Sequence, residues 1–130
     1  MIKLICGMSR AGKTTYSKQF EDVIHLDYCG GIITCYDRAS EKVSNANGDV
    51  IIEGVYNTVE RRKALLSAFN GEGKRVCVWL NTELETIASR TFDHIPKPTY
   101  FEPPTLDEGW DEIIIIRGND EQRINRQTED

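Results

Sequence analysis

Gly7-Met8-Ser9-Arg10-Ala11-Gly12-Lys13-Thr14 stands between an apolar run, Lys3-Leu4-Ile5-Cys6, and a helix-compatible run that reaches Phe20. The spacing is G-x-x-x-x-G-K-[ST], the Walker A pattern. Glycines at both ends let the backbone wrap closely around a phosphate chain. The loop N–H groups then point inward as an anion-binding nest. The helix that follows adds the positive end of its dipole. Gly7, Ser9, Arg10, Ala11, Gly12, Lys13, Thr14 and Thr15 are therefore expected to bind ATP. Lys13 would reach the β- and γ-phosphates, and the Thr14 hydroxyl would ligate Mg²⁺.

Outward from this loop the chain alternates between strand and helix signals. Five short apolar runs, at residues 2–6, 23–26, 50–52, 76–80 and 112–116, are mostly continuous. That is how strands buried on both faces of a parallel sheet read. Helical character follows at 13–20, at 59–69 behind a Thr58 N-cap, and at 83–90. The alternation predicts an α/β fold with right-handed crossovers.

Residues 28–49 contain Gly30-Gly31 and Gly48, and read as a short helix mixed with loop. Residues 91–110 hold all four prolines and read as extended and irregular, where small kinases carry a lid. The polar residues after Arg117 read as a frayed tail. The expected organisation is one domain, 1–117, followed by a tail, 118–130.

Length and composition agree with one domain. The chain has 130 residues, 39% hydrophobic and 28% charged, which is ordinary globular composition. Its net charge is −5, so the overall field does not steer it to nucleic acid. Cys6, Cys29, Cys35 and Cys77 lack metal-ligand spacing, and Cys6 and Cys77 read as small core residues. No stretch approaches the roughly 20 apolar residues that span a bilayer. A cytoplasmic location is expected.

Acidic residues at other strand ends refine the chemistry, because ligands of open parallel sheets bind beyond the carboxyl ends of the strands. Asp27 ends the second apolar run and Glu53 the third. In the strand order 2-3-1-4-5, general among small P-loop kinases, Glu53 ends the strand beside the loop. There it would hold a Mg²⁺-bound water or position substrate. Asp27 lies one strand farther out and is the candidate general base for an acceptor hydroxyl. The roles could be exchanged, since Asp27 also ends a Walker B-like run. Arg90, at the end of the fourth helix, is positioned to neutralise charge on a moving phosphoryl group. Arg61-Arg62-Lys63 reads mainly as a solvated basic face that begins near the acceptor side. His25 reads as a core residue of its strand.

These stretches together resemble the kinase domain of polynucleotide 5′-hydroxyl kinases, including the phage type. The resemblance rests on LICGMSRAGKTTYSKQF, HLDY, DVIIEGVYNTVERRKALL and TELETIASR, and on the late motif FEPPTLDEGWDEIIII. It implies a P-loop NTPase three-layer sandwich around a five-stranded parallel sheet, ATP and Mg²⁺ on residues 7–14, and transfer of the γ-phosphate to a 5′-hydroxyl end of DNA or RNA. It implies that Asp27 activates the hydroxyl, Arg90 contacts the phosphates and Arg61 lies near an acceptor phosphate. The chain departs from the family at Glu53-Gly54-Val55-Tyr56-Asn57, where Asp-x-Thr-Asn is usual, and at Tyr28-Cys29-Gly30-Gly31. Its alternatives are a kinase for a nucleoside, nucleotide or other metabolite, and a nucleotide-binding regulatory protein with little turnover.

Overall fold

The computed structural model describes residues 1–8, 11–26, 33–46, 48–82 and 101–125, with the side chains of 33–35 outside that description. It is an α/β fold with a mixed, six-stranded sheet. In chain order the elements are β1 (Ile2–Gly7), α1 (Lys13–Ser17), β2 (Ile24–His25), α2 (Ile33–Asn45), β3 (Val50–Gly54), α3 (Val59–Ala68), β4 (Arg75–Leu80), a 3₁₀ turn at Leu106–Glu108, β5 (Glu112–Arg117) and β6 (Asp120–Asn125). The strands lie in the order β2-β3-β1-β4-β5-β6. The first five are mutually parallel and β6 runs antiparallel to β5.

Alternation along β1 explains why its apolar run is continuous. Leu4 and Cys6 face one side of the sheet, where they join Ile52, Cys77 and Ile113 with Ala39 and Val43 of α2 and Leu65 and Leu66 of α3. Ile5 faces the other side, with Val76, Val78, Leu80 and Ile114, against Tyr16 of α1 and Phe20. Both faces of the central strands are thus buried. Cys6 and Cys77 are core thiols as expected, unbridged, with sulfurs 3.6 Å apart.

Two departures from the sequence reading concern length. Residues 28–49 contain a helix of 13 residues, α2, rather than a short one. Residues 120–125 form a strand rather than a frayed tail: the expected five-stranded parallel sheet gains a sixth, antiparallel strand there. Gly118-Asn119 is a two-residue hairpin connection between Arg117 and Asp120, which are directly paired. The strand is anchored by Ile124, which packs against the core opposite Ile113. Arg123 adds ion pairs to Glu121 and to the buried Glu112.

The late motif forms a buried polar clamp on the start of α3. Thr58 caps this helix, its hydroxyl accepting from the Arg61 N–H at 3.2 Å. One turn in, Arg62 is fully buried rather than solvated, which corrects the reading of the basic cluster. Its guanidinium is held by Glu108 and by the carbonyls of Tyr56 and Glu102. Glu108 also accepts from the Trp110 indole N–H at 3.0 Å and from the Thr105 N–H at 2.9 Å. Glu102 closes the other end, its carboxylate accepting from the Val59 N–H. Residues 101–110 lack regular structure apart from the 3₁₀ turn, as the prolines require. Several of them nevertheless join the core: Phe101 and Leu106 pack against it, and Trp110 is fully buried. The expected helix at 83–90 and the remainder of the expected lid lie outside the described residues.

Candidate functional site

The candidate site is the connection from β1 to α1 at the carboxyl end of the sheet. Gly7 ends β1 against the end of β4. A Cβ on Gly7 would lie 2.9 Å from the Leu80 carbonyl oxygen and 3.3 Å from the Ala11 Cβ, so only glycine fits here. Gly12 enters α1 with φ 103° and ψ 16°, a left-handed conformation that also favours glycine. The two glycines at the ends of the motif therefore have separate physical reasons, close approach at Gly7 and backbone angle at Gly12. Between them Ala11 is buried. Its N–H donates to the Met8 carbonyl at 3.0 Å, and its own carbonyl accepts from the Thr82 hydroxyl at 2.7 Å. The far side of the loop is thus tied to the end of β4.

Lys13 opens α1 and is buried, with 8% of its surface exposed. Its ammonium donates to the Met8 carbonyl at 2.7 Å. Burial lowers its pKa from the ordinary lysine value, while the Glu53 carboxylate and, more weakly, Cys6 push it back up. A desolvated ammonium that leans on a backbone carbonyl is under-compensated, and it favours an incoming anion. Thr14 and Thr15 are exposed beside it.

Glu53 lies at the same end of the sheet. On β3 it is in register with Ile5 of β1 and His25 of β2. These residues therefore share the sheet face that carries α1. The Glu53 carboxylate is buried, and its Oε2 accepts from the His25 Nδ1 at 2.7 Å. His25 is half exposed rather than a core residue, which corrects the sequence reading. Period-two alternation through β2 carries the signal: it puts His25 on the face opposite Ile24 and Leu26, both of which pack into the core.

Arg61 lies elsewhere. It sits in the first turn of α3, on the other face of the sheet, and donates to Asn57 Oδ1 at 2.8 Å and to the Tyr36 hydroxyl at 3.2 Å. Its guanidinium stacks 4.4 Å from the centre of the Tyr36 ring. That ring meets Tyr56 edge-on, with centroids 5.0 Å apart. Glu53 and Arg61, read together as acceptor-side residues, thus engage different neighbours. Gly7, Ala11, Gly12, Lys13 and Glu53 are gathered at one place. Ser9, Arg10, Asp27 and Arg90 lie outside the described residues. Among the described residues no cluster of His, Cys, Asp or Glu forms a metal site, and no helix is long and apolar enough to cross a membrane. The chain matches no protein-family model and no curated protein sequence.

Proposed function

We propose that this protein is an ATP- and Mg²⁺-dependent phosphotransferase of the P-loop type, built as a three-layer sandwich, that phosphorylates a 5′-hydroxyl end of DNA or RNA. The observation that supports the nucleotide half of the reading is the buried Lys13 ammonium, held by the Met8 carbonyl at the carboxyl end of a parallel strand. A glycine-bounded loop of this spacing would offer backbone N–H groups beside that under-compensated cation, and both suit a triphosphate. Thr14 would hold Mg²⁺, which would bridge and neutralise phosphate oxygens. Glu53 is near enough for its charge to bear on Lys13.

The acceptor half rests on the sequence resemblance. Asp27 would orient and deprotonate the acceptor hydroxyl, Arg90 would stabilise charge on the transferred group, and Arg61 would meet an acceptor phosphate. Transfer to a small hydroxyl metabolite is the second reading. The net charge of −5 favours it, because a polyanion gains nothing from that overall field.

The test is transfer of labelled γ-phosphate to a 5′-hydroxyl oligonucleotide and to a panel of nucleosides. Oligonucleotide labelling that weakens steeply with salt supports the first reading. Nucleoside labelling alone replaces it with the second. MgATP binding with no transfer to either would make the protein a nucleotide-binding regulator, and no MgATP binding would overturn the whole proposal.

A further inference from the structure

Glu53 presents a problem for any anion in this loop. It is a buried carboxylate whose field reaches Lys13, the cation that a phosphate group would need. If the side chain turned toward Lys13, the two would form a closed ion pair in a poorly solvated place and the ammonium would be lost to the ligand. The structure pairs the carboxylate with His25 instead. Its Oε2 accepts from His25 at 2.7 Å, whereas the Lys13 ammonium donates to the Met8 carbonyl.

The backbone makes this arrangement specific. His25 is directly opposite Glu53 in the β2–β3 ladder, and the next N–H, that of Leu26, donates to the Glu53 carbonyl at 2.9 Å. Since β2 is only two residues long, His25 is half of the strand. Its ring nevertheless remains half exposed, so burial of its own surface does not account for its place.

We propose that His25 is a positioning residue for nucleotide binding: through Nδ1 it holds the Glu53 carboxylate away from Lys13 and keeps the ammonium available to phosphate. This rests on the reading of the β1–α1 loop as a triphosphate site. His25 itself touches no phosphate. Loss of the imidazole lets Glu53 turn to Lys13 and compete with the ligand.

The test is MgATP affinity by titration calorimetry on the intact chain, with a thermal melt for each variant. His25→Ala is expected to weaken MgATP about tenfold, the size of one hydrogen bond to a charged group. His25→Asn carries an amide N–H at the position of Nδ1 and is expected to restore affinity to within about threefold of wild type. His25→Gln carries its amide one carbon farther out, and is expected to behave like alanine. In a Glu53→Gln background, where no carboxylate competes, His25→Ala is expected to add nothing. Asparagine rescue without glutamine rescue, together with non-additivity, supports the proposal. Equal affinity of wild type and His25→Ala overturns it, as do equal effects of all three replacements or additive effects with Glu53→Gln. If the alanine variant does not fold, the contrast between asparagine and glutamine decides by itself. Wild-type protein that binds no MgATP overturns the loop reading itself, an outcome separate from any of these.

Discussion

Arg62 and Glu108 lie side by side in the protein interior, Nε to Oε1 at 2.8 Å and Nη2 to Oε2 at 3.1 Å, in a two-point pairing sealed from solvent. The pair joins the first turn of α3 to the segment that precedes β5, 46 residues later. Carbonyls of Tyr56 and Glu102 occupy the remaining edges of the guanidinium, and the Trp110 indole occupies Glu108. Such a cluster tolerates the loss of no single member, because the surviving charge would stay buried without a partner.

Arg62→Ala and Glu108→Ala are each expected to destabilise the protein by about 3–5 kcal/mol, measured by urea unfolding. Against the roughly 5–15 kcal/mol typical of a domain, either variant comes close to unfolding. The double change Arg62→Met with Glu108→Leu is expected to recover most of the loss, because it removes both charges and keeps the volume. A double variant as unstable as the worse single one would mean that the carbonyl and indole bonds, not the ion pair, fix this region.

The clamp also shows where sequence patterning stops. The strand positions were legible because continuous apolar runs have one economical use, burial on both faces of a sheet, and the Walker A spacing located the loop. The fate of Arg62 was not legible. Nothing distinguishes Arg61-Arg62-Lys63 from a solvated cluster until a carboxylate 46 residues away is brought beside it. A local hint did exist, since Thr105-x-x-Glu108 has capping-box spacing and Glu108 does bond the Thr105 N–H. The sixth strand was concealed by its polarity: as an edge strand with a single anchoring apolar residue, Ile124, it carries little hydrophobic pattern, and only Gly118-Asn119 announced the hairpin. At the site, the Lys13 position followed from the motif, whereas the His25–Glu53 bond depends on the register between two strands and has no local signature.

Tyr56 should be a stabilising position to edit. Its ring is buried against Tyr36, and its hydroxyl is buried with no hydrogen-bond partner among the described residues. Tyr56→Phe removes the unsatisfied group and keeps the ring, so a gain of about 1 kcal/mol or more is expected. The same burial raises the phenol pKa well above the ordinary tyrosine value of 10.0. The folded protein then keeps a proton that the unfolded chain loses above pH 10, so wild-type stability falls as pH rises past that point. Urea unfolding at pH 9 and pH 11 checks this: the advantage of Tyr56→Phe should widen at the higher pH. An advantage that is flat across that range would mean the hydroxyl is satisfied in solution.

Gly7→Ala should damage the loop more than the sheet. The added methyl carbon meets the Leu80 carbonyl oxygen at 2.9 Å, and backbone there can yield only by moving the end of β1 or β4. A stability loss of about 1–3 kcal/mol is expected, in the range of overpacked sites. On the proposed function, MgATP affinity should fall at least tenfold, since the displaced strand end is the start of the loop. Calorimetric titration with a parallel melt separates the two effects. Unchanged affinity with lowered stability would place the nucleotide away from Gly7.

Lys13 offers a trade between stability and function. Its ammonium is desolvated, and its only hydrogen bond among the described residues is to the Met8 carbonyl, so in the nucleotide-free protein it is a liability. Lys13→Met retains the packing and removes the charge, and is expected to raise the melting temperature by about 3 °C or more without nucleotide. Because burial lowers the Lys13 pKa below 10.5, the folded state sheds this proton before the unfolded chain does. Stability of the wild type should therefore climb as pH rises from the lowered pKa toward 10.5, narrowing the gap to Lys13→Met. The measurement is best made below pH 10, where the Tyr56 phenol does not yet contribute. With MgATP present the order should reverse. A ligand at 100 times its dissociation constant stabilises the wild type by about 2.7 kcal/mol, and the methionine variant should gain nothing. A variant that is both less stable alone and equally protected by MgATP would show that Lys13 is a structural lysine and that the phosphates bind elsewhere.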